Sequence, residues 1–312
     1  MVTELIAAPD DAGRRLDRIL RKALPDMPLS GIHRLLRKGA VSVDGHPASG
    51  ADRVKAGSVI AIPKISAGRG VPGVRRPPDS GSDAVAERIL WESPDILVLN
   101  KPAGVAVHGY DSLDDLVQAY LSRKIPPSLS FKPGPLHRLD KPTSGIIVFS
   151  ATLEGARYFS DALQKRRLKK KYLALVDGAV TASAVWGDPL FRDRTARKTF
   201  VAGQDRGQTA ETLICPVMSA EGYSLIEAEI RTGRTHQIRA QAGFHGHPLA
   251  GDRKYGGSFQ REGFLLHAYT LEFPENRPAG LPETLTAPLP DLFRRRIREL
   301  FGNEPIVSGI FG

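Results

Sequence analysis

The chain has one cysteine, Cys215, in 312 residues. That excludes an intramolecular disulfide and a zinc site built from cysteines. No apolar run approaches the roughly 18 residues that a membrane span requires, so no membrane partner is expected. The stretch Met1 to Gly13 holds Glu4, Asp10 and Asp11 and no basic residue. Signal and transit peptides are basic at this end, so the cytoplasm is the expected compartment. Acidic residues are also in deficit: 34 Asp and Glu against 44 Lys and Arg leave a net charge of +10. An acidic partner follows, although charge alone does not separate RNA from DNA or an anionic membrane.

Hydrophobic residues make up 41% of the chain, enough for real cores, and the length suits about two domains. Residues 14–64 form a basic unit with 11 Lys and Arg against 4 Asp and Glu. Leu16, Ile19, Leu20 and Leu24 recur at helical spacing, which leaves Arg15 and Arg18 on the outer surface. A second helix is expected after Ser30 as N-cap, with Ile32, Leu35 and Leu36 inside and Arg34, Arg37 and Lys38 outside. Val41 to Val43 and Val59 to Ile62 read as short strands, with a turn at Asp44-Gly45. Residues 66–85 are rich in Gly, Pro, Ser and Arg and read as a flexible linker. With few apolar residues at that boundary, the two sides are expected to be separable. Gly68, Gly70 and Gly73 formally match a dinucleotide fingerprint, but Val74-Arg75-Arg76-Pro77-Pro78 cannot open the helix it needs.

From about residue 86 the chain is strand-rich. Ile96 to Leu99, a segment through Val107, Ile146 to Phe149, Tyr172 to Val176, Ile226 to Ile230 and Leu265 to Phe273 read as strands. Helices are expected over 112–121 and 153–163, and near Thr235. Gln164 to Lys171 has six basic residues in eight, among them Lys169 and Lys170, which suits either a solvated loop or a phosphate contact. His245 and His247 lie in a Gly/Pro loop without an HExxH pattern and read as structural rather than metal-binding.

The most informative stretch is His137-Arg138-Leu139-Asp140-Lys141-Pro142-Thr143-Ser144-Gly145. It places a carboxylate and basic groups on a stiff loop that leads into a core strand, the arrangement in which catalytic groups concentrate. A protein-kinase catalytic loop needs HRD without the intervening Leu, and a DFG motif; neither occurs. The string resembles the H-R-L-D-x-x-T-S-G signature of RluA-type pseudouridine synthases, as do Asn100 to Gly109 and the segment Thr232-Gly233-Arg234-Thr235-His236-Gln237-Ile238-Arg239. Residues 13–39 and the Val41 to Gly45 turn resemble the S-four RNA-binding domain.

The resemblance implies an α+β protein. It has an S-four-type module at 13–65, the linker at 66–85, and a catalytic domain at 86–302 with a mixed, mainly antiparallel sheet. It implies isomerisation of uridine to pseudouridine in RNA, with large-subunit ribosomal RNA ahead of transfer RNA. Asp140 is then the catalytic carboxylate, Arg239 its cation and Tyr172 a ring against the uracil. Leu265 or Leu266 would lie beneath the base. Arg138 would fill the gap left by the extruded nucleotide and His137 would orient the loop. Arg15, Arg18, Arg34, Arg37, Lys38, Lys169 and Lys170 would meet phosphates. No metal, nucleotide or redox cofactor is implied, and a monomer is expected. A non-catalytic RNA-binding factor and an RNA N-glycosidase are the alternatives.

Overall fold

A computed structural model describes residues 2–64, 80–203, 206–220 and 222–302. The N-terminal unit contains β1 (Val2–Ile6), α1 (Leu16–Ala23), α2 (Leu29–Arg37), β2 (Ser42–Val43), β3 (His46–Pro47) and β4 (Val59–Pro63). Its four-stranded sheet has the order β1-β4-β2-β3. Leu16, Ile19, Leu20, Ile32, Val41, Ile60 and Ile62 form its core, as the helical and alternating patterns require. Asp44 and Gly45 both have positive φ, the conformation a two-residue hairpin turn favours. The second helix starts one residue before Ser30, with Pro28 at its N-cap and no side-chain cap. Arg15, Arg18, Arg34, Arg37 and Lys38 are all exposed.

The N-terminal unit makes buried polar contacts with the rest of the chain. Asp11 is fully buried, and its carboxylate accepts from Ala8 N, Ser128 Oγ, Leu129 N, Ser130 N and Ser130 Oγ. Arg14 Nη1 donates to the Ser130 carbonyl, and Leu153 N donates to Asp10. Leu129 adds its side chain to the N-terminal core. A buried carboxylate is tolerated because every lone pair has a donor. Residues 66–79 of the expected linker lie outside the described residues. Its end is helix α3 (Ser80–Ala86), where Val85 is buried in the main core.

The remaining elements are β5 (Ile89–Glu92), β6 (Ile96–Lys101), α4 (Leu113–Ser122), β7 (Gly134–Pro135), β8 (Ser144–Ser150), α5 (Leu153–Gln164), β9 (Lys169–Asp177), β10 (Ala184–Trp186), β11 (Pro189–Asp193), β12 (Lys198–Val201), β13 (Gln208–Thr209), β14 (Thr212–Ala220), β15 (Tyr223–Ile230), α6 (Gln237–Phe244), β16 (Leu266–Glu272), β17 (Thr284–Thr286) and α7 (Asp291–Phe301). The main sheet runs β10-β14-β15-β9-β16-β8-β6-β5, with β17 beside β16 and β7 beside β8. Every pairing is antiparallel except β8 with β16. This is the mixed α+β fold that the resemblance implies. The segment expected as a strand through Val107 is irregular: it turns at Ala103-Gly104, and Gly104 N donates to the Lys141 carbonyl. No helix among the described residues is long and apolar enough to cross a membrane.

Two features of this architecture place the Asp140 loop and the segment that carries Arg239. The first is α6, where Gln237 through Ala242 are all buried. A helix buried around its circumference has neighbours on both sides. Ile238 and Ala242 join the main-sheet core, while Ala240 packs with Leu190, Ala210, Val201 and Tyr255 of the small β12-β11-β13 sheet region. The second is the parallel contact of β8 with β16, where His267 pairs with Ser144 and Ala268 with Gly145. Ser144 Oγ meets His267 Nδ1 at 2.8 Å, and His267 Nε2 meets the Ala287 carbonyl at 3.2 Å. A carbonyl only accepts, so Nε2 carries the proton and Ser144 donates. Burial pushes the His267 ring down to about 4, so it is neutral at physiological pH.

Gly145 has φ +107, and a Cβ there would lie 2.2 Å from the Ala268 carbonyl oxygen. Real atoms do not approach that closely, so a side chain must separate β8 from β16 or unseat the loop before it. Gly145→Ala should therefore lower stability by more than about 3 kcal/mol, within the range of severe backbone and packing changes. Denaturant unfolding of the two proteins checks this; midpoints that coincide would show that the strands have room.

Candidate active site

The loop that carries Asp140 is held from below. Lys101 is fully buried, and its ammonium donates to the carbonyls of Pro102, Val105 and Lys141 at 2.9, 2.8 and 3.1 Å. Gly104 N adds a bond to the same Lys141 carbonyl. Burial lowers the Lys101 ammonium to about 8, and nearby Asp140 pulls the other way. Within the loop, Thr143 N donates to the Asp140 carbonyl, closing a turn. His137 turns its ring to the protein: Nε2 accepts from Val148 N, and the ring stacks on Phe159 at 5.8 Å. Burial takes that imidazole down to about 3, so it is a neutral strut for the loop.

The Asp140 carboxylate meets Arg239. Nη1 of Arg239 donates to Asp140 Oδ2 at 2.8 Å, while Nε and Nη2 grip Asp252 at 2.6 and 3.0 Å. The guanidinium carbon lies 4.4 Å from the Phe264 ring centre and 5.1 Å from that of Tyr255. A planar fork stacked between rings loses little freedom on pairing. Asp252 is 2% exposed, and the Arg239 guanidinium is paired with it inside the protein. His236 Nε2 lies 3.7 Å from the same Oδ2. Gln237 fixes the approach to the helix. Its Oε1 accepts from Thr232 Oγ1 and Arg234 N, and its Nε2 donates to the Glu211 carbonyl and Thr212 Oγ1. All four hydrogen bonds an amide can make are present.

Asp140 and Arg239 line a cavity of about 470 Å³ with His137, Arg138, Lys170, Tyr172, His236 and Leu266. Arg138 is exposed at its edge. Tyr172 is buried, and burial first, then Asp140, pushes its phenol upward, so the hydroxyl stays protonated. Leu265 does not join this group. It packs on the opposite face of the sheet with Leu173, Leu175 and α7 residues, because neighbours on an extended chain point to opposite sides. The same alternation divides the basic run. Lys170 and Tyr172 face the cavity, whereas Lys169 and Lys171 pair with Glu272, and Lys165 and Arg167 pair with Asp161. Burial lowers Lys170 to about 8, and Arg166 of the same run also lines the cavity. Sequence reasoning missed His236, Asp252 and Tyr255. His236 stands inside a string already singled out; Asp252 and Tyr255 gave no signal before folding brought them to Arg239.

Comparison with known proteins bears on this geometry. The profile of the RNA pseudouridylate synthase family matches residues 95–243, which include the Asp140 loop, Tyr172 and Arg239. The ribosomal large subunit pseudouridine synthase C of Vibrio parahaemolyticus is 33% identical over 277 residues, 85% of this chain and 86% of that protein. The chain belongs to the RluA-type RNA pseudouridine synthases. The synthase of the same name from Escherichia coli K12 is 32% identical over 303 residues, 93% of this chain and 94% of its own. Among solved structures, human RNA pseudouridylate synthase domain containing 4 superposes with a TM-score of 0.59 at 23% identity, covering 71% of this chain and 97% of its own. That likeness supports the fold.

In this synthase the bridge makes Arg239 hard to replace. Arg239→Lys keeps one charge but cannot span both carboxylates as a fork. It should lose at least about 100-fold in single-turnover rate, and about 3 kcal/mol of stability, as broken buried pairs do. Rapid-quench assays and denaturant melts check the two numbers. A lysine variant of normal rate would show that one point charge is enough.

Proposed function

We propose that the chain converts uridine to pseudouridine in large-subunit ribosomal RNA, with Asp140 as the nucleophile, Arg239 as its counter-cation and Tyr172 against the base. The carrying observation is the Asp140 carboxylate, held on one oxygen by Arg239 within a cavity lined by Tyr172 and Leu266. The choice of RNA is supported by the printed names of relatives that match over most of both chains.

The reaction breaks N1–C1′, turns the uracil and joins C5 to C1′. The proton on C5 leaves and N1 gains one, so atoms balance with no co-reactant. The carboxylate attacks as an ion and later departs. The Tyr172 ring can stack on the uracil, and its hydroxyl can relay the proton. Leu266 offers an apolar floor. Arg138, exposed at the edge, suits the role of occupying the space an extruded nucleotide leaves. Lys170 is placed to meet a phosphate or a uracil carbonyl. In this reading the N-terminal unit is an S-four-type RNA-binding module, and Arg15, Arg18, Arg34, Arg37 and Lys38 contact phosphates. Lys169, spent on Glu272, contributes less than the sequence pattern suggests. A cytoplasmic monomer completes the proposal.

Asp140→Asn should abolish product while RNA affinity stays within about twofold. Loss of an essential nucleophile costs on the order of 10⁴-fold or more. Pseudouridine mapping of total RNA from cells with and without the gene should show missing sites in large-subunit RNA. Sites missing only from transfer RNA would overturn the target, and free uracil in the product would reveal an N-glycosidase.

A further inference from the structure

His236 is the N-cap of α6 and has φ 55 and ψ 27, the left-handed conformation that non-glycine residues rarely adopt. Such a residue is held by its surroundings, and such strain concentrates at functional sites. Three groups hold this one. Thr199 Oγ1 on β12 donates to the carbonyl of Thr235, just before it, at 2.9 Å. Tyr255 Oη lies 2.8 Å from His236 Nδ1, and Arg192 Nη1 on β11 lies 3.4 Å from that nitrogen. The Tyr255 ring also stands edge-on to the imidazole, at 88°.

These contacts determine where the imidazole proton sits. Thr199 N donates to Tyr255 Oη at 2.9 Å, which leaves the hydroxyl proton available for Nδ1 once Nδ1 is an acceptor. Arg192 can only donate. Two donors face Nδ1, so Nδ1 is the bare nitrogen and the proton is on Nε2. Nε2 faces Asp140 Oδ2 at 3.7 Å, the oxygen that Arg239 already holds at 2.8 Å. A small turn of either side chain closes that contact to a hydrogen bond.

We propose that His236 is a positioning residue for Asp140: locked as the Nε2–H tautomer by Tyr255 and Arg192, it presents a second N–H to Oδ2 and leaves Oδ1 as the oxygen that attacks. The inference rests on the reading of Asp140 as the nucleophile. The charge balance agrees with it. Burial pushes the imidazolium down, to about 4, against the pull of Asp140, and Arg239, Arg192 and Lys254 push in the same direction as burial. The ring is therefore neutral at physiological pH, and a single tautomer has meaning. It cannot compete with Arg239 as a second cation. Its contribution is directional, a dipole aimed at one of two oxygens. The inference also connects the small sheet to the chemistry, because Thr199 and Arg192 reach Asp140 only through Tyr255 and His236.

Two measurements test it. The first is long-range ¹H–¹⁵N correlation on the full-length protein labelled in histidine, with the His236 signal assigned by its absence from His236→Asn, a residue that tolerates the left-handed backbone. The expected spectrum at neutral pH is that of a neutral Nε2–H ring, which becomes a mixture of tautomers in Tyr255→Phe. An Nδ1–H ring or a doubly protonated ring in the unsubstituted protein overturns the inference, and needs no variant to be active. The second is single-turnover rate at saturating RNA. His236→Ala should lose about 10- to 100-fold, the range of a hydrogen bond to a charged group, with RNA affinity unchanged. His236→Gln, which keeps an N–H of similar reach, should recover most of that rate. Equal losses in the alanine and glutamine variants, or a normal rate in the alanine variant, overturn the positioning role. Asp140→Asn in the same assay separates the two ideas. If it turns over, the reading of the nucleophile fails; if it is dead while His236→Ala is unimpaired, only the inference about His236 fails.

Discussion

Arg239 lies between Asp140 and Asp252, and the rest of the architecture can be understood as what it takes to keep that bridge in place. A carboxylate drawn away from water takes up a proton unless a cation stands beside it. As the proposed nucleophile, Asp140 would need such a cation and also an oxygen free for attack. A fork that spends two nitrogens on Asp252 and one on Asp140 meets both needs. Asp252 fixes the guanidinium, the rings of Phe264 and Tyr255 confine its plane, and only the third nitrogen reaches the reacting group.

Each end of the bridge is then secured by a different part of the fold. Asp140 depends on the turn closed by Thr143, on the Lys101 ammonium beneath Lys141, and on the close contact of Gly145 with β16. Arg239 depends on α6, whose burial on both sides requires the main sheet and the small one together. These supports come from chain segments about 100 residues apart, so the site exists only after the long-range pairings form. Buried titratable groups such as His137, His267 and Lys101 serve as struts, each with its polar atoms used by the protein.

The sequence made some of this legible because certain residue types leave few choices. The HRLDKPTSG string, the Arg at the end of the THQIR segment and the Tyr before an apolar strand all border one cavity. Helices α4 and α5 begin at Ser112 and Thr152, whose side chains accept from the third residue on, as capping patterns predict. What failed to show was mostly alternation and distance. Leu265 and Leu266 are equivalent in composition, and only the strand phase sends the second toward Asp140. The basic run from Lys165 to Lys171 looks like one patch until pairing with Asp161 and Glu272 divides it. Asp252 and Tyr255 sit in a stretch rich in Gly that resembles any surface loop; their roles depend on contacts with Arg239 and His236 that no local pattern encodes. The buried Asp11 had the same character: an acid near the N-terminus gives no hint that three residues at 128–130 will close around it.

The central claim of the proposed function is that Arg239 holds the Asp140 carboxylate by one oxygen and leaves the other to attack. Isotope-edited infrared spectroscopy tests it most directly. The difference spectrum between protein carrying ¹³C-labelled aspartate and the equally labelled Asp140→Asn protein isolates the Asp140 carboxyl. At neutral pH the account predicts a carboxylate pair of bands for Asp140. A single protonated carbonyl band in their place would contradict it.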